Sequence, residues 1–129
     1  MAKKRTVIAT DQAPAAIGPY SQAIRGRGLV FTAGQLPVDP ATGKMVEGDI
    51  QVHTRQALEN VRAVLEAGGS SLARVVKVTV FLTDLGNFKA MNEVYAEYFT
   101  GDPPARSAVQ VTALPLGADI EIEAVGMVK

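Results

Sequence analysis

Val75-Val76-Lys77-Val78-Thr79-Val80-Phe81-Leu82-Thr83 alternates with a period of two, the mark of a β-strand whose two faces meet different surroundings. Val76, Val78, Val80 and Leu82 make one clean apolar face, and Val75, Lys77, Thr79, Phe81 and Thr83 make a mixed one. Segment 119–128 divides the same way, with Ile120, Ile122, Ala124 and Val128 against Glu121, Glu123, Val125 and Met127. In 106–112, Ser107, Val109 and Val111 oppose Arg106, Ala108, Gln110 and Thr112. Strand periodicity recurs at 21–25 and 28–34, with a short strand at 6–9.

Helical spacing takes over between these segments. After Asp49, a good N-cap, Ala57, Leu58, Val61, Val64 and Leu65 mark an amphipathic helix of about four to five turns, which Gly68-Gly69 stops. A second helix begins near Asn87. Its stripe of Phe88, Met91, Tyr95, Tyr98 and Phe99 reads as core, and Pro103-Pro104 lies just beyond it. The stretch from Asp39 to Gly48 is the one long connection expected. The fold class is therefore α+β: a β-sheet with two α-helices on one face, in a single domain spanning 1–129.

Two helices cover one side of a sheet, so the clean faces are assigned to them and the mixed faces lie opposite. The opposite side then gathers Val75, Phe81, Val125 and Met127 with Lys77, Arg106, Glu121 and Glu123. It is too apolar for water and too polar for a dry core, and a subunit interface enclosing a wet cleft satisfies both demands.

Composition narrows the function classes. Thirteen basic residues balance thirteen acidic ones, which argues against a nucleic-acid or membrane partner because neither anionic surface is met by a positive field. No cysteine is present, so thiolate catalysis and cysteine-built metal sites are excluded and a cytoplasmic location is expected. The basic start Lys3-Lys4-Arg5 precedes too short an apolar run for a signal peptide and reads as a solvated end. No run approaches the length needed to span a bilayer.

Arg106 follows Pro103-Pro104-Ala105 and opens a strand, where a planar guanidinium can grip a carboxylate bidentately. Its competing reading is a salt bridge to Glu121 or Glu123. Those two glutamates alternate onto one strand face, where each can raise the other's pKa and make a general acid or base; the competing reading is a half-exposed strand. A glycosidase pair or a metal site lacks completing ligands nearby. His53, the only histidine, reads as a surface or boundary residue; no Gly-x-Ser-x-Gly elbow accompanies it, and Thr42-Gly43-Lys44 lacks the rest of a phosphate loop. Tyr20, fixed after Gly18-Pro19, could offer its phenol to a ligand or edge the core, and Asn92, one residue off the second helix's stripe, could reach a ligand or face solvent.

Ala13-Pro14-Ala15-Ala16-Ile17-Gly18-Pro19-Tyr20-Ser21-Gln22, Thr32-Ala33-Gly34-Gln35-Leu36-Pro37, Pro104-Ala105-Arg106-Ser107 and Ile120-Glu121-Ile122-Glu123-Ala124, in this order and spacing, closely resemble the reactive intermediate deaminase (RidA, YjgF-like) family over nearly the whole chain. The resemblance implies a chorismate mutase-like fold with both helices on one side of a mixed β-sheet, a homotrimer with a central barrel, active sites between subunits, and neither cofactor nor metal. It implies hydrolysis of 2-iminopropanoate and 2-iminobutanoate to 2-keto acids and ammonia. Arg106 matches the family's carboxylate-binding arginine, Glu121 its water-positioning acid, and Tyr20 and Asn92 its pocket residues; main-chain groups near Ser107 and Ala108 complete the substrate site. Two departures stand out: Ala108 where many relatives carry cysteine, and Ala33 where others carry serine. The alternatives are a non-catalytic trimer that holds 2-keto acids or acts as a chaperone, and an endoribonuclease or translation inhibitor, which the neutral charge disfavours.

Overall fold

The Asp49 carboxylate accepts the Val52 N–H at 3.0 Å, satisfying one of the donors that a helix start leaves open. The helix it caps, α1 (Ile50–Ala67), ends at Gly68, and Gly69 follows at φ +87°. A computed structural model describes residues 4–129. Lys4 and Arg5 are exposed, while Lys3 of the basic start lies outside the described residues. In chain order the strands are β1 (Thr6–Ile8), β2 (Ala23–Gly26), β3 (Leu29–Thr32), β4 (Val38–Asp39), β5 (Lys44–Met45), β6 (Val75–Leu82), β7 (Ala105–Gln110) and β8 (Ile120–Met127). The second helix, α2 (Phe88–Tyr98), lies between β6 and β7.

Six strands form one mixed sheet in the order β1-β2-β3-β8-β6-β7; β4 and β5 form a separate hairpin. All pairings in the main sheet are antiparallel except β6 with β7, which run parallel. Parallel neighbours need a crossover, and α2 supplies it. Leu58, Val61, Val64 and Leu65 of α1 are fully buried together with Val30, Val78, Val80, Leu82, Ile120 and Ile122 of the sheet and Met91 of α2. The expected two helices on one face of a mixed sheet are thus observed.

Two expectations change. Val75, assigned to the mixed face, is buried at 9% exposure, while Val76, assigned to the helices, is 40% exposed. A register shift between Val75 and Lys77 in the β6–β8 ladder exchanges them, because an inserted residue reverses the alternation on its far side. Nor is 39–48 the one long connection: it contains the β4–β5 hairpin, whereas the chain between β1 and β2 runs irregularly from 9 to 22. The buried Gln22 side chain organises that segment. Its Oε1 accepts the Thr10 N–H at 2.7 Å, and its Nε2 donates to the carbonyls of Thr10 (3.0 Å), Ala13 (3.3 Å) and Pro14 (2.7 Å).

Candidate functional site

Arg106 sits one residue into β7, the sheet's edge strand, in register with buried Val78. Paired residues on neighbouring strands project from the same face, so Arg106 points to the helix side. This corrects its assignment to the mixed face: alternation along β7 was legible, but the parallel pairing with β6 decides which half turns inward. α2 receives the guanidinium. Its Nη1 donates to Asn92 Oδ1 at 2.7 Å, and its Cζ lies 4.6 Å from the Tyr95 ring centroid and 5.4 Å from that of Phe88. Rings on one side and an amide on another hold a cation with little desolvation penalty. Neither Glu121 nor Glu123 pairs with it among the described residues.

The aromatic stripe of α2 therefore does more than fill the core, as expected of it. Met91, Tyr95 and Phe99 are buried, but Phe88 and Tyr95 also form the bed for Arg106. The Tyr95 hydroxyl is buried without a hydrogen-bond partner, and burial raises its pKa while the nearby guanidinium opposes the rise. Two aromatics seven residues apart preceding an arginine strand are the sequence signal for this bed.

Glu121 occupies the other side of the sheet. It pairs in register with Phe81, and Glu123 with Thr79, on the face opposite α1. Burial first, and then the charge of Glu123, raise the Glu121 carboxyl above the usual carboxylate range. The carboxyl lies against Gly34: a Cβ built there would stand 2.7 Å from Glu121 Cδ and Oε2. Gly34 is thus required for close approach.

Gly34 lines a cavity of about 190 Å³ with Tyr20, Gln35, Leu36, Ile17 and Leu116. That volume is below the ~300–1,000 Å³ typical of sites for drug-sized ligands and suits a small metabolite. Gly18, at φ +117°, turns the chain into the cavity wall. The Tyr20 phenol oxygen accepts the Ile17 N–H at 3.3 Å, and the residue is 53% exposed, so its own proton can be donated to a ligand.

The sequence-selected residues thus fall into two groups. Arg106 and Asn92 join on the helix side of β7; Tyr20 and Glu121 share the neighbourhood of Gly34. Ser107 faces away from Arg106 and accepts the Lys77 ammonium at 3.0 Å, whereas Ala108 packs against the core beside Val80. His53 belongs to neither group. Its Nδ1 lies 2.8 Å from Asp119 Oδ1 and its Nε2 2.9 Å from the Val46 carbonyl, tying α1 to the approach to β8. Among the described residues no group of three acidic or histidine side chains converges as a metal site, and no helix is long and apolar enough to cross a membrane.

A protein-family model described as Endoribonuclease L-PSP matches residues 10–128. A RutC family protein of Pyrococcus horikoshii is 57% identical over 121 residues, covering 94% of this chain and 96% of the relative. A 2-iminobutanoate/2-iminopropanoate deaminase of Capra hircus is 47% identical over 123 residues, covering 95% and 90%. Among solved structures, E. coli TdcF with bound serine superposes with a TM-score of 0.91 at 44% identity, covering 96% of this chain and 99% of that one.

Proposed function

The chain belongs to the reactive intermediate deaminase family, the YjgF-like proteins covered by the L-PSP family model, and from that premise we propose that it hydrolyses 2-imino acids such as 2-iminopropanoate and 2-iminobutanoate to 2-keto acids and ammonia. Relatives named deaminases at 47% identity support the reaction class. Arg106 carries the assignment within this chain. Its guanidinium rests on Phe88 and Tyr95 and spends one Nη1 bond on Asn92, so the rest of its donor fork meets a ligand carboxylate already oriented.

In the proposed mechanism the substrate carboxylate pairs with Arg106, with Asn92 and main-chain groups of Ser107 and Ala108 beside it. Water held by the Glu121 carboxylate attacks the C=N carbon, and Glu121 takes one of its protons. Glu121 passes that proton to the imine nitrogen, giving the carbinolamine; as the carbonyl forms, Glu121 takes the hydroxyl proton and delivers it to the amino nitrogen, so that the C–N bond breaks and ammonia leaves. Tyr20 donates to the substrate from the cavity wall. A raised Glu121 pKa suits this exchange, since the carboxylate takes a proton from water more readily than an ordinary carboxylate does and can still return it to the leaving nitrogen. None of these steps needs a cofactor or metal.

Arg106 and Glu121 project from opposite faces of the sheet and lie two strands apart in the order β8-β6-β7. A site that uses both therefore draws them from two copies of the chain. Phe31, Val109 and Met127 are 42–46% exposed on the face opposite the helices, and covering them offers the second copy a reason to bind. The assembly proposed is the homotrimer with a central barrel, each chain contributing one chorismate mutase-like domain over 1–129, working in the cytoplasm.

The test generates 2-iminobutanoate with L-amino acid oxidase and catalase and traps the surviving imine as its semicarbazone. Wild type is expected to lower the trapped signal, and Arg106→Ala to lose about a hundredfold or more in rate through the unpaired carboxylate. A variant as active as wild type would remove Arg106 from the site, and a wild type inactive on every imine tried would favour the reading in which the cleft only holds 2-keto acids.

A further inference from the structure

Leu116 is disfavoured where it stands on two separate counts. It holds a left-handed backbone at φ +60°, ψ +19°, a conformation that β-carbon sterics make costly for a leucine. It is also 70% exposed, with its apolar surface in water. Its neighbour Gly117 shares the positive φ, so the turn itself could be built from residues that accept such angles. Residues held in sparsely populated conformations tend to mark functional positions. What Leu116 has gained is a place on the wall of the Gly34 cavity, which Ile17, 85% exposed, also lines.

The chemistry of that wall is one-sided. Pro14, Ala15, Leu36, Val38 and Pro40 add to its apolar lining, and Tyr20, Gln22 and Gln35 are its polar members. The Gln22 amide in the same wall is already committed to Thr10, Ala13 and Pro14, so it has little to offer a polar side chain. Glu121, against Gly34, marks where the reacting carbon stands in the deaminase reading. A substrate anchored there extends its side chain into apolar surroundings.

We propose that Ile17 and Leu116 form an apolar lip that selects among 2-imino acids by side chain, favouring branched aliphatic imines such as that derived from leucine over the smallest, 2-iminopropanoate. This rests on the deaminase reading of the same site and adds the residues that set its preference. Positive φ is retained by asparagine better than by other polar residues, so Leu116→Asn removes the apolar surface and keeps the turn.

The experiment supplies leucine and alanine separately to L-amino acid oxidase, measures removal of each imine by wild type, Leu116→Asn and Ile17→Ser, and follows oligomer mass by light scattering. The wild-type preference for the leucine-derived imine is expected to fall about tenfold in each variant, with mass unchanged and with the thermal midpoint of Leu116→Asn no lower than that of wild type. An unchanged ratio in both variants of an active enzyme would overturn the lip alone. So would an equal loss on both imines accompanied by a drop in mass, which would make Leu116 a contact between copies. A wild type inactive on both imines would remove the deaminase reading and the lip with it.

Discussion

Glu121 is held in a state that the folded chain would relieve by protonation. Its folded pKa is raised, by burial first and by Glu123 second, so between the unfolded and folded values the native state binds more protons than the unfolded one. Stability therefore falls as pH rises through that window, and the penalty persists at neutral pH. Glu121→Gln is expected to raise the thermal midpoint at pH 7 while abolishing imine hydrolysis. The catalytic form in the proposed mechanism is the carboxylate, so wild-type activity rises with pH through the raised pKa. Glu123→Gln removes the second cause of the shift and moves the acid limb of the pH–rate profile to lower pH. A limb that stays in place in Glu123→Gln would assign that titration to another group.

At the scale of elements, α1 positions the cavity through a single buried amide. Asn60, 1% exposed, donates from Nδ2 to the carbonyls of Leu36 (3.0 Å) and Val38 (2.8 Å), and its Oδ1 accepts Gln56 Nε2 at 3.0 Å. Leu36 and Val38 line the cavity, so the helix fixes a wall of the site. Asn60→Val leaves those carbonyls without their donor and is expected to lower stability by about 1–3 kcal/mol per orphaned group, read from the urea midpoint; an unchanged midpoint would show that water replaces the amide. The helix of Asn60 was legible in the sequence, because Asp49, the Ala57–Leu65 spacing and Gly68-Gly69 are local signals within one element. The six strands of the main sheet were legible too, to within about two residues at most ends, whereas the short β4–β5 hairpin was read as a loop. The side of β7 on which Arg106 emerges was not, since it depends on the pairing of Arg106 with Val78 of β6, a sequence separation of 28. The exchange of Val75 with Val76 was hidden because a bulge leaves no mark in a run of valines. Gly34 stood in the quoted motif, yet its contact with Glu121 joins two strands that meet only in the folded sheet.

At the scale of the whole molecule, one chain keeps two groups of residues apart. Arg106 with Asn92 on the helix side of the edge strand, and Glu121 with Gly34 on the other side, each make half of the proposed site. If each site takes its Arg106 from one copy and its Glu121 from another, the two losses can complement. Arg106→Ala and Glu121→Gln chains are each inactive alone. Unfolded together in equal amounts and refolded, they assort at random, so about one site in four receives an intact Arg106 and an intact Glu121 from its two contributors. Roughly a quarter of wild-type activity should then return in the mixture and none in either variant refolded separately. Absence of recovery, with oligomers of wild-type mass, would place both residues in a site served by one chain. The open face supplies the matching control: Val109→Glu puts a charge beside Phe81 on the sheet side that the proposed assembly covers, the side that also carries Phe31 and Met127. It should yield a folded chain of monomer mass with its helical signal intact and its hydrolysis lost, because an isolated copy holds only the two unmatched halves.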